Sequence, residues 1–89
     1  MATRDELLGA LRHERDQLVT SVFKDFAEAE RLLLKAFDEH GAGNLPEARI
    51  LLNEALDIEH DVTGDTKILS PLAEEWEVDY ERDQRKKAP

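Results

Sequence analysis

Residues 4–40, RDELLGALRHERDQLVTSVFKDFAEAERLLLKAFDEH, decide the fold. Apolar residues recur at Leu8, Leu11, Leu18, Val22, Phe26, Ala29, Leu33 and Ala36/Phe37. Steps of three, four and seven put them all on one helical face. The alternation that marks strands is missing, and Ala, Leu, Glu, Arg and Lys, all strong helix formers, dominate. Thr3 suits a helix cap, with Glu6 at the spacing of a capping box. Nothing breaks the pattern before His40-Gly41-Ala42-Gly43, where Gly41 suits the left-handed position that ends a helix. Thr20-Ser21 lowers helix propensity but contains neither Gly nor Pro. The pattern therefore predicts one helix over about 4–40.

Two shorter helices follow. Asn44-Leu45-Pro46-Glu47 reads as a start, with Asn44 as cap, Pro46 in the first turn and Glu47 closing a capping box. Ala48, Leu51, Leu52, Ala55, Ile58 and Val62 form the apolar stripe of a helix over 45–62, which Thr63-Gly64-Asp65 ends. Ser70 as cap and Pro71 at the first helical position open a helix over 70–83. Its apolar face is narrow: Leu72, Trp76 and Tyr80, with Leu69 just before. Residues 83–89 read as a basic frayed tail.

The expected fold is all-α: a long N-terminal helix and two shorter ones, packed as an antiparallel bundle in a single domain over 1–82. At 1.5 Å per residue the first helix would be roughly 55 Å long and the others roughly 25 Å each. The turn at Gly41–Gly43 covers only its C-terminal half. Leu7, Leu8, Leu11, Leu18, Val19 and Val22 are left bare, and the simplest cover is a second copy of the chain. The competing arrangement breaks near Thr20-Ser21, so that residues 4–19 fold back and close a monomeric four-helix bundle.

Composition narrows the function. The 89 residues make one domain with a thin core. There is no Cys, so no disulfide framework stabilises it. The longest apolar run, Leu32-Leu33-Leu34, is far short of a membrane span, and MATRDELLGALRHERD does not resemble a signal peptide. A cytoplasmic, soluble protein is expected. Twelve basic residues against 21 acidic ones give a net charge of −9, which disfavours nucleic acid and anionic membranes and suits a basic partner. Residues 44–66 hold one base, Arg49, against six acids.

Gly43-Asn44-Leu45-Pro46-Glu47-Ala48 followed by Ala55-Leu56-Asp57-Ile58 resembles the second helix of a tetratricopeptide repeat. Ala48 and Ala55 have that family's spacing of small residues, which lets two helices approach closely. The preceding helix departs from the pattern: Leu32 is followed by Lys35-Ala36, and Glu39 stands where a Tyr is usual. The likeness covers residues 29–62 as a single copy, whereas such repeats come in stacks. It implies a helical hairpin of that style and a scaffold for protein binding.

Few residues point to chemistry. Glu54, Asp57 and Asp61 share a helix face, and Asp57 with His60 has the spacing of carboxylate–histidine metal ligands in helical bundles. No second such unit accompanies them, although Glu28, Glu30 and His40 are candidate helpers. A calcium loop over Asp57, Glu59, Asp61, Thr63 and Asp65 fails, because Val62 stands where the loop needs Gly and Ile68 where it needs Glu. Ser21 and Ser70 have no His nearby, so no catalytic nucleophile is visible. Trp76 and Tyr80, four apart, are types that dominate partner-binding hot spots, and they equally suit a core with Trp76 inside and Tyr80 at its edge.

The expected function is a non-enzymatic protein-interaction module: an adaptor, chaperone-like or regulatory protein that homodimerises and binds another protein. No cofactor, metal or small-molecule substrate is expected. The residues expected at partner surfaces are Leu8, Leu11, Leu18, Val22, Trp76, Tyr80, Glu54, Asp57 and Asp61. Two other readings stand beside it: an acidic mimic of nucleic acid that blocks a basic surface, and a metal-binding bundle centred on Asp57 and His60.

Overall fold

The computed structural model describes residues 3–17 and 23–87 and contains four helices: α1 (Arg4–Asp16), α2 (Phe23–Gly41), α3 (Leu45–Thr63) and α4 (Ser70–Lys87). No strand occurs among the described residues. The molecule is all-α, measures 51 × 22 × 20 Å, and its main helix contacts run in chain order: α1 with α2, α2 with α3, α3 with α4.

The single helix over 4–40 is not formed. α1 ends at Asp16, and Gln17 donates its N–H to the carbonyls of Glu14 and Arg15. Arg12 Nε then lies 3.1 Å from Glu30 Oε1, and Arg15 Nη1 lies 2.9 Å from Glu30 Oε2. On one straight helix Arg12 and Glu30 would be separated by about 27 Å. The stripe gave no warning, because two helices that bury the same face against each other keep one period across the reversal. Thr20-Ser21, the weak point of the sequence, lies outside the described residues, as do Leu18, Val19 and Val22.

Leu7, Leu8 and Leu11 are therefore buried within one chain, in the same core as Phe26, Leu33, Leu52, Leu69 and Trp76. Of the stripe on which the expected second copy rested, Leu7, Leu8 and Leu11 are covered by the chain itself. Burying a Leu or Phe fully contributes about 1.5–3 kcal/mol, so α1 is a structural part of this small core.

The ends of the helices follow local chemistry. Thr3 caps α1, accepting the Glu6 N–H at 3.2 Å. Gly43, not Gly41, takes the left-handed conformation (φ 84°), and Gly41 is the last residue of α2. The Gly43 N–H donates to His40 O and the Asn44 N–H to Glu39 O, the paired bonds that close a helix at a left-handed glycine. Asn44 makes no side-chain cap; its amide donates instead to Glu39 Oε2 at 2.7 Å. Gly64 (φ 84°) ends α3, its N–H bonded to His60 O.

Ser70 is the first residue of α4 and not its cap. The free N–H groups ahead of it, on Ile68 and Leu69, both donate to the Glu59 carboxylate at 3.0 Å. Helix α4 also runs to Lys87, through the stretch expected to fray from Asp83. Basic Arg85 and Lys86 near its C-terminal end complement the negative end of the helix dipole.

Candidate partner-binding surface

Helix α3 has two faces of opposite character. Ala48, Leu52, Ala55 and Glu59 are buried. On the other side Glu47, Ile50, Glu54, Asp57 and Asp61 are all exposed. Their steps of three and four residues align them in a ridge roughly 21 Å long. Ile50, 53% exposed, is an apolar residue among carboxylates.

The ridge keeps its charge. Six of the seven arginines are engaged elsewhere: Arg4 with Asp5, Arg12 and Arg15 with Glu30, Arg31 with Glu28, Arg49 with Glu77, and Arg82 with Asp79. The side chains of Glu47, Glu54, Asp57 and Asp61 make no hydrogen bond or ion pair with any described residue. The structure thus brings Glu54, Asp57 and Asp61 onto one open surface.

It buries the apolar candidates. Leu8, Leu11 and Trp76 lie inside the core and present nothing to a partner in this conformation. Trp76 stacks on His40, with ring centroids 4.3 Å apart, and meets Phe37 edge-on at 5.2 Å. His40 Nε2 is buried without a hydrogen bond, 3.7 Å from Asp79 Oδ2. Tyr80 is half-buried, and the Arg49 guanidinium lies 3.9 Å over its ring while pairing with both oxygens of Glu77. This corner joins α2, α3 and α4 and leaves Tyr80 only partly free. Leu18 and Val22 lie outside the described residues.

Asp57 and His60 both face solvent. Among the described residues no three His, Asp or Glu side chains come together as a metal ion would require. No helix of the described residues is long and apolar enough to cross a membrane. A shallow depression of about 420 Å³ lies between Arg15, Asp16, Lys24 and Ala27, at the edge of the undescribed segment.

Two carboxylates of structural weight were missed in sequence. Glu30 takes Arg12 and Arg15 of α1, and Glu59 binds the α3–α4 connection. Burial pushes the Glu59 pKa up, against the lowering effect of its two N–H donors, and nearby Asp65 and Glu14 add to the rise. The signal was present: Ala48, Leu52, Ala55 and Glu59 follow one another at helical spacing, so Glu59 continues the buried face. No known protein family, curated relative or solved structure matches the chain.

Proposed function

We propose that the chain is a non-enzymatic interaction module that holds a basic protein partner on the outer ridge of α3. The observation that carries this reading is the unneutralised row Glu47, Glu54, Asp57 and Asp61 around exposed Ile50. Carboxylates arranged in this way steer a basic surface and fix its orientation, while an apolar centre supplies contact area. The four helices are read as a small antiparallel scaffold built on the α2–α3 hairpin. Full burial of Ala48 and Ala55 supports its tetratricopeptide-like character.

The acidic-mimic reading draws on the same ridge, since Arg12, Arg15 and Arg31 are paired away from it. Ile50 favours the protein partner, because a mimic of a phosphate row gains nothing from an apolar centre. A photo-crosslinking residue at position 50, compared with one at the equally exposed Val78 on α4, tests the assignment in the native cell. A basic protein captured at 50 and not at 78 is expected. Identical capture at both positions would remove the ridge from the account.

A further inference from the structure

Among the described residues one buried side-chain polar atom lacks a hydrogen bond, His40 Nε2. Such an atom is unfavourable where water cannot reach it. Neither the α2–α3 hairpin nor the acidic ridge makes use of it.

The surroundings of the ring suit a cation. Asp79 Oδ2 on α4 lies 3.7 Å from Nε2, too far for a hydrogen bond and within reach of a small side-chain shift. The ring lies nearly flat on Trp76, with the two planes 13° apart, and an aromatic face attracts positive charge. His40 also stands in the last turn of α2, beside the negative end of the helix dipole. Burial opposes a charge there, and these three groups are set against it.

The other charged groups at this corner have partners of their own. From α3, Arg49 pairs with Glu77 and covers the Tyr80 ring. On α4, Arg82 Nη1 lies 3.9 Å from Asp79 Oδ1, which leaves Oδ2 turned to His40, and Asp83 follows one turn along. On α2, Glu39 holds the Asn44 amide. Imidazole is the side chain whose charge ordinarily changes between about pH 5 and 8.

We propose that His40 is a proton-operated clamp between α2 and α4. Protonation makes both ring nitrogens donors. The Nε2–H then donates to Asp79 Oδ2, and their separation closes to the roughly 2.7–2.9 Å of a charge-assisted hydrogen bond. The orphaned atom gains its partner while the cation stays stacked on Trp76. When the proton leaves, that bond is lost, and His40 holds α4 only through the Trp76 stack. Helix α4 is therefore gripped more firmly in acid than at neutral pH. The clamp takes no part in the α3 ridge, so its failure would leave the proposed function untouched.

Trp76 is the only tryptophan of the chain, so its emission reads this contact directly. An imidazolium accepts an electron from excited indole better than neutral imidazole does. Emission should therefore fall as pH is lowered from about 8 to about 5. His40→Gln should abolish the fall, although His13, His60 and Glu59 remain in place. Asp79→Asn, which removes the anion and keeps the shape, should move the fall to lower pH, and it keeps the test open if His40→Gln folds poorly. Emission reports the proton; amide exchange reports the clamp. With the intrinsic pH dependence of exchange divided out, acidification should protect the Tyr80 amide roughly two- to fivefold more in wild type than in Asp79→Asn, the range of a partly exposed ion pair. A fall in emission that survives His40→Gln, a fall unmoved by Asp79→Asn, or an equal gain of Tyr80 protection in wild type and Asp79→Asn overturns the proposal.

Discussion

Arg15 Nη1 lies 2.9 Å from Glu30 Oε2, although the two residues are fifteen apart in the chain. Together with Arg12 on the other carboxylate oxygen, this pair fastens α1 to α2 at a point where Glu30 is almost fully covered. Glu30→Ala removes both bonds and leaves two arginines that can still reach water, Arg12 being more than half exposed. The loss should be about 1–3 kcal/mol, with the Arg15 bond contributing most. Hydrogen exchange should quicken at the Leu8 and Leu11 amides and remain slow at Leu52. Equal acceleration at all three would mean that α1 does not open separately.

Glu59 gives the stability a pH dependence of definite sign. Its pKa is raised in the folded chain, so the folded state binds the proton more tightly than the unfolded state. Its contribution to stability is therefore present at low pH and falls as pH rises from the ordinary carboxylate value through the raised one. Chemical denaturation of wild type and Glu59→Gln across that window should give a stability difference that changes with pH there and is flat above it. Glu59→Ala should cost about 2–4 kcal/mol, since the N–H groups of Ile68 and Leu69 lose their acceptor inside the protein.

Two glycines should respond in opposite directions. Gly9 sits in α1, with no atom within 4 Å of the place a Cβ would occupy. Gly9→Ala should stabilise by about 0.5–1 kcal/mol. Gly43 has equal space but a φ of 84°, and Gly43→Ala should destabilise by roughly 1–2 kcal/mol. Melting temperatures of the two variants settle both signs.

Ala55 is fully buried between helices, whereas Ala42 is exposed in the α2–α3 turn. Ala55→Leu should overpack the core and cost about 1–3 kcal/mol. Ala42→Leu should change stability by less than about 0.5 kcal/mol, as surface substitutions usually do. A neutral Ala55→Leu would remove close packing as the basis of the hairpin.

Periodicity identified the faces but not the path of the chain. Of the stripe from Leu8 to Ala36, the residues Leu8, Leu11, Phe26, Ala29, Leu33 and Ala36 are buried, yet the period could not show that α1 folds back on α2, because both arms of an antiparallel pair present an apolar face at the same spacing. Caps were legible where a short side chain acted on its own turn, as Thr3 does. They were not where the partner came from elsewhere: Glu59 reaches across from α3 to the turn before α4, a link that depends on how the connection folds. On the surface the sequence placed Glu54, Asp57 and Asp61 on one face correctly. It could not show that Arg12, Arg15, Arg31, Arg49 and Arg82 are spent on Glu30, Glu28, Glu77 and Asp79, which helps leave that face charged.

The central claim is that the α3 ridge binds a basic partner through its carboxylates. Its most direct measurement is the affinity of the protein captured at position 50 for wild type and for a triple charge reversal, Glu54→Lys/Asp57→Lys/Asp61→Lys. All three positions are exposed and unpaired among the described residues, so the variant should fold with its helical content intact. The account predicts a loss of affinity of at least about a hundredfold, with wild-type binding that weakens steeply as salt is added. Undiminished binding by the folded variant would contradict it.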